Sequence, residues 1–130
     1  MKRSMQFFGA GLMAVSMLLT SGAFAQDPIK VDSTHYKVEF ENDQVRVLRI
    51  TYGVGEKSVM HEHPNAVAVF LTDVQGQFTF ADGKTQAMTT KDGQTLWTPA
   101  GKHLPANTGD KPFSLILVEL KSTPAAPKKN

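Results

Sequence analysis

Between residues 30 and 121 the chain is cut into short segments rich in Val, Ile, Phe and Thr, each followed by a turn signal. "VRVLRITYG" begins at Val45, "SVMHEH" at Ser58, "AVAVFLTDV" at Ala66, "GQFTFADGK" at Gly76, "TQAMTTKDG" at Thr85, "TLWTPAG" at Thr95 and "FSLILVEL" at Phe113. Asp82-Gly83 and Asp92-Gly93 are hairpin or bulge punctuation, because glycine takes the positive φ such turns require. No stretch after the first 25 residues holds apolar residues at helical spacing over ten positions. Short strands at regular spacing imply an all-β sandwich or barrel. "FSLILVEL" is apolar at nearly every position and reads as a strand buried on both faces, inside a sandwich or at a subunit contact.

Two ends fall outside this pattern. Lys2 and Arg3, an apolar run from Phe7 to Thr20 and the small-x-small sequence Ala23-Phe24-Ala25 form the pattern of a secretory signal peptide, cut after Ala25. The run is short of the roughly 20 apolar residues a membrane span needs, so residues 1–25 are expected to leave a periplasmic or secreted chain with no stable membrane anchor. Residues 122–130, "STPAAPKKN", are read as a disordered tail. Loss of Lys2 and Arg3 leaves 12 basic against 12 acidic residues. That balance gives no basic patch and no reason to expect a nucleic-acid partner. The chain has no cysteine, so an exported domain of this size must be held by its hydrophobic core alone. The expected division is a leader over 1–25, an N-terminal arm over 26–39, one β domain over 40–121 and the tail.

"VMHEHPNAV" contains two of the four histidines. Side chains alternate along a strand, so His61 and His63 share a face and Met60 and Glu62 point away. Two imidazoles on one face can meet one divalent metal at about 2.0–2.1 Å each. A third donor is then wanted, and His103 in "PAGKHLPAN" is the candidate. HxH alone is weak evidence, but its setting is not random: Gly55 precedes it by six positions and Pro64 ends it.

With those neighbours the sequence resembles the cupin superfamily. The first cupin motif, G-x5-H-x-H, is matched by Gly55, His61 and His63. The second, G-x5-P-x-G-x2-H-x3-N, is matched by Gly93, Pro99, Gly101, His103 and Asn107, with one residue fewer between Gly101 and His103. The resemblance covers about residues 40–121 and implies a single cupin-type β-barrel or jelly roll that pairs as a homodimer. The glutamate ligand of the usual set falls at Val67 or Ala68, both apolar, and the closing glycine, Gly76, sits a residue or two late. The resemblance thus implies a three-histidine site, His61, His63 and His103, for a divalent transition metal: iron, manganese, nickel or zinc. Cupin thiol dioxygenases use such three-histidine iron sites.

The resulting expectation is an exported small cupin with a metal and a small-molecule ligand in the barrel, acting as a metal-dependent oxygenase or isomerase. The competing expectation is a non-catalytic binding or sensing module without tight metal binding. The deciding feature is whether the barrel interior holds a polar group besides the three histidines. His35 is expected to be a partly exposed residue of the arm. Trp97 and Phe70 are expected to pack in the barrel, Asn107 to hold a turn, and Glu56 and Lys57 to be solvated. No nucleophile constellation surrounds Ser58 or Ser114 in sequence, and no phosphate loop is present.

Overall fold

Alternation decides which residues form the core. In Val45–Tyr52 the even positions Leu48, Ile50 and Tyr52 are buried while Arg49 and Thr51 are exposed, and in Ala66–Phe70 every second side chain is buried. This is the period of a strand with one face on a core. The computed structural model describes residues 26–122. The expected leader and residues 123–130 of the expected tail lie outside the described residues.

A short helix, α1 (Pro28–Val31), precedes nine strands among the described residues. These are β1 (Tyr36–Glu41), β2 (Val45–Tyr52), β3 (His61–His63), β4 (Ala66–Phe70), β5 (Val74–Phe80), β6 (Thr85–Thr90), β7 (Thr95–Thr98), β8 (Gly101–Asn107) and β9 (Phe113–Leu120). They form a five-stranded sheet ordered β1-β2-β9-β4-β7 and a four-stranded sheet ordered β3-β8-β5-β6. All the pairings are antiparallel. Successive strands cross between the sheets from β2 to β5 and again from β6 to β9, which is the winding of a jelly roll. The inner faces meet over Leu48, Ile50, Phe70, Val74, Phe113, Leu115 and Leu117.

The turn chemistry is as the sequence implies. Gly83 and Gly93 have φ of 82° and 77°, and Asp82 accepts from the amide of Lys84. α1 is capped by Asp27, whose carboxylate accepts from the Ile29 amide at 2.9 Å, with Pro28 in the first turn. The helix lies against β1 and β3, and the Glu62 amide donates to the Gln26 carbonyl at 3.0 Å.

Three local expectations change. The strand expected from Ser58 is confined to His61–His63; Val59 is exposed and shares no strand face with the histidines. The β1 strand spans the expected boundary between residues 39 and 40, and its Tyr36 is part of the core. Finally, β9 is central in its sheet and buries Phe113, Leu115 and Leu117, but Ser114, Ile116 and Val118 on its outer face are only half-buried.

Candidate metal centre

His61 and His63 leave β3 on the same face, and His61 lies directly opposite His103 of β8. Gly101 lies opposite His63. The register therefore brings three imidazoles from two strands together. Their ring centroids are 4.8 Å apart for His61 and His63, 5.0 Å for His61 and His103 and 5.2 Å for His63 and His103. One nitrogen from each lies within 4.8 Å of the others. The rings of each pair are packed edge to face.

The far nitrogens decide what the near ones can do. His61 Nδ1 is 2.8 Å from the Val59 carbonyl. A carbonyl only accepts, so Nδ1 carries the proton and Nε2 presents a lone pair. His63 Nδ1 is 2.6 Å from Glu119 Oε1 and donates to that carboxylate, so Nε2 is the nitrogen left to face His61. These two Nε2 atoms face each other at 3.0 Å. At that distance the two nitrogens share one occupant between them, a proton or a metal ion. Metal–nitrogen bonds of about 2.0–2.1 Å at octahedral or tetrahedral angles put donor atoms roughly 2.8–3.4 Å apart. The donor set fits a divalent transition metal.

Burial disfavours the charged forms of His61 and His103. It lowers the pKa of His61 to about 4, helped by the neighbouring His63. It lowers that of His103 to about 3, helped by His63 and His61. The His103 ring lies flat on Phe78, with centroids 4.7 Å apart and planes 4° from parallel.

The supports behind the histidines are less visible in sequence. Glu119 is buried, yet both its oxygens are used: Oε1 accepts from His63, and Oε2 accepts from Arg46 Nε at 2.6 Å. Burial pushes its pKa up, but these two partners outweigh burial and hold it below the usual carboxylate range. Arg46 in turn donates to Asp27 at 2.7 Å. A carboxylate on the far nitrogen of a ligating histidine fixes its tautomer and raises its basicity. Behind His61, the Ser58 hydroxyl donates to the Asp32 carboxylate and lies 3.3 Å from His61 Nδ1. The serine proton is thus directed to the carboxylate and not to an imidazole base, so this is no nucleophile arrangement. Glu119 had a signal: it is the single acid in "FSLILVEL", at the same alternation as Phe113, Leu115 and Leu117.

The other singled-out residues divide. Ala68 faces inward and lines the cavity, whereas Val67 faces out, so no carboxylate enters the barrel from β4. Glu62 lies on the opposite face of β3, across from Lys102. His35 is partly buried, in keeping with the arm residue expected, but it is firmly held. Its side chain is 11% exposed, bonded through Nδ1 to Asp32 and through Nε2 to Glu56 at 3.1 Å. Its ring stacks on Tyr52 with centroids 4.3 Å apart. Phe70 is buried as expected, but Trp97 is 57% exposed on the outer face. Asn107 does hold a turn, accepting from the Gly109 amide, and its buried amide also donates to the carbonyls of Gly53 and Lys111. Glu56 is half-exposed but accepts from the Gly53 amide at 2.6 Å.

A cavity of about 700 Å³ reaches His63 and His103 between the sheets. It opens beside the edge strands β6 and β7, where the inward-facing Gln86 and Leu96 are exposed. Tyr36 and Tyr52 line it, their hydroxyls 2.8 Å apart. The Tyr36 ring packs edge-on against His61 at 4.8 Å. Burial raises the pKa of Tyr36 well above its ordinary value and that of Tyr52 to about 12, so both phenols keep their protons.

No family model matches the sequence, and no curated protein matches it. Solved structures match by shape. A cupin domain from Bordetella pertussis Tohama I has a TM-score of 0.62 at 22% identity, over 67% of this chain and 92% of that one. A cupin superfamily protein from Desulfitobacterium hafniense DCB-2 has a TM-score of 0.52 at 19% identity, over 67% and 76%. An RmlC-like cupin family protein with a double-stranded β-helix fold, from Methanocaldococcus jannaschii, has a TM-score of 0.52 at 16% identity, over 68% and 83%. The sheets and their winding define an antiparallel double-stranded β-helix of one domain. The fold of this chain is the one these cupin structures share.

Proposed function

We propose that this protein binds one divalent transition metal through His61, His63 and His103 and presents it to a small molecule in the barrel. Iron, manganese, nickel and zinc all suit imidazole donors. The observation that carries the reading is the cluster of three histidines in which the Nε2 atoms of His61 and His63 face each other at 3.0 Å while each Nδ1 is committed as a donor elsewhere.

The reading extends to catalysis, as a metal-dependent oxygenase or isomerase. Structural metal sites are closed, while catalytic ones keep a position open to solvent or substrate. Here three donors come from one side and the cavity reaches two of them directly. When bound, the metal supplies Lewis-acid polarisation or activation of water or dioxygen. The chain's own residues do the rest. Glu119 and the Val59 carbonyl hold the imidazoles in one tautomer, and Arg46 balances the charge of Glu119. The apolar walls limit water, and the Tyr36–Tyr52 pair offers protonated phenols beside the histidines. That pair is the polar group which favours catalysis over storage. The second reading, a binding or sensing module, draws on the absence of any Asp, Glu or Arg among the cavity-lining residues.

The export reading rests on residues 1–25, and a second copy of the chain is proposed to cover the outer face of the five-stranded sheet. The test of the metal reading is elemental mass spectrometry on protein purified without tag or chelator. About one metal ion per chain is expected, lost in both His61→Ala and His103→Ala. No metal in the native protein, even after reconstitution with each ion, overturns it.

A further inference from the structure

The walls of the barrel limit what can bind in it. Phe70, Phe78, Phe80, Met88, Leu96 and Leu115 are among the apolar residues that line it. Several of the polar side chains that face the same space are engaged, while the Thr90 hydroxyl is buried without a partner. Tyr36 and Tyr52 bond each other, and Thr98 donates to the Ala66 carbonyl at 3.2 Å. The buried charges nearby, Glu119, Arg46 and Asp32, are paired among themselves or with His63, His35 and Ser58, and none lines the cavity. Lys102 is the one charged residue in the lining, and it is exposed. A molecule with many hydroxyls or several charges would leave its polar groups unmatched against this wall, at a cost for each one.

The site at the closed end calls for the opposite chemistry. Three neutral imidazoles cancel none of a divalent ion's charge. The nearest acid, Glu119, is already matched by Arg46 and His63. Ala68 supplies no carboxylate from β4. The compensating negative charge then has to come with the ligand. Beside it, Phe78 and Phe80 are half-buried rings with centroids 6.4 Å apart, and Phe78 stacks on His103. A flat or ring-shaped body placed there meets aromatic faces.

Resting on the metal reading, we infer that the cavity takes a small organic acid with one anionic oxygen-donor head and an apolar, ring-bearing body. The head lies at the histidines and the body along the phenylalanine wall toward β6 and β7. The volume of about 700 Å³ falls within the range of small-molecule pockets.

Mandelate, lactate and gluconate isolate the body, because all three carry the same α-hydroxycarboxylate head and differ in a phenyl, a methyl or a polyol chain. Calorimetric titration of the zinc-loaded protein with each is the experiment. Mandelate is expected to bind about tenfold or more tighter than lactate and gluconate, since burying the phenyl ring removes far more apolar surface from water. Ala68→Glu supplies a carboxylate of the protein's own to the metal in place of the ligand's anionic head, and is expected to keep zinc and lose mandelate. Gluconate binding as tightly as mandelate, no binding of any of the three, or unchanged mandelate affinity in a zinc-loaded Ala68→Glu protein overturns the ligand class and leaves the metal reading standing. Failure of the protein to hold zinc overturns both.

Discussion

Glu119 shows how much a single buried residue can organise. Its two oxygens hold His63 on one side and Arg46 on the other, so it orients a metal donor without touching the donor atom. Replacing such a support typically costs about 10- to 100-fold in metal affinity. Glu119→Gln is therefore expected to weaken zinc binding by roughly that factor while keeping about one ion per chain, measured by competition with a chromophoric chelator. An unchanged affinity would mean that His63 is held by packing alone. The role of Glu119 was only half legible in the sequence. Alternation along "FSLILVEL" puts it on the inward face, but its partner His63 is 56 positions away. Their meeting depends on β9 lying between β2 and β4, an order that no local pattern encodes. The histidines were easier, because the i, i+2 rule fixes two of them on one face and the cupin-like motif points to the third. The contacts of His35 were not legible, because a stack on Tyr52 and a bond to Asp32 leave no periodic trace.

At the scale of the elements, what the sequence declares most clearly is its turns. Gly83 and Gly93 sit at positive φ, where a Cβ is disfavoured by the backbone itself. Gly101 opens β8 without a positive φ, and a Cβ there would meet nothing within 4 Å. The three therefore separate backbone strain from space. Gly93→Ala is expected to cost about 1–2 kcal/mol of stability, and Gly101→Ala to change it little, as read by urea denaturation. Equal losses would show that Gly101 serves its strand through something other than room. The same contrast explains why strand ends were harder to place than strand centres. The β3 strand shrinks to three residues because the chain before it turns to give His61 Nδ1 the Val59 carbonyl. That bend follows from the site's hydrogen bonding and not from the hydrophobic pattern.

For the whole molecule, pH and self-association are the two properties the structure addresses. His61 and His103 have pKa values of about 4 and about 3 in the fold, against about 6.5 in an unfolded chain. Below about pH 6.5 the unfolded chain takes up protons that the native one does not, so stability falls as pH falls toward the native values. Each imidazole removes up to about 1.4 kcal/mol per pH unit in that window. Glu119 and Asp32, with lowered pKa values, add losses of the same sign at lower pH. Denaturation of the chelator-treated protein should therefore show a marked drop in stability from about pH 7 to about pH 5. That drop should be shallower in the His61→Ala/His103→Ala double variant, and equal slopes would contradict the burial argument.

The outer face of the five-stranded sheet carries the last prediction. Cross-strand pairing lines up Phe40 with Val47, Val47 with Val118, Val118 with Val67, and Val67 with Trp97. The result is one apolar row across all five strands, aromatic at both ends, with Phe40 53% and Trp97 57% exposed. The row reads the same in either direction: aromatic, valine, valine, valine, aromatic. A two-fold axis through Val118 would lay it on its own copy with aromatic meeting aromatic, the self-complementarity that an isologous dimer requires. Such a row left in water is costly, and covering it with a second copy also accounts for the unusual apolarity of both faces of "FSLILVEL". Sedimentation velocity is expected to give a dimer at micromolar concentration. Val118→Lys, which puts two like charges at the axis without touching the barrel interior, is expected to give a folded monomer that still binds metal. A monomeric native protein would leave the row without its partner and refute the arrangement.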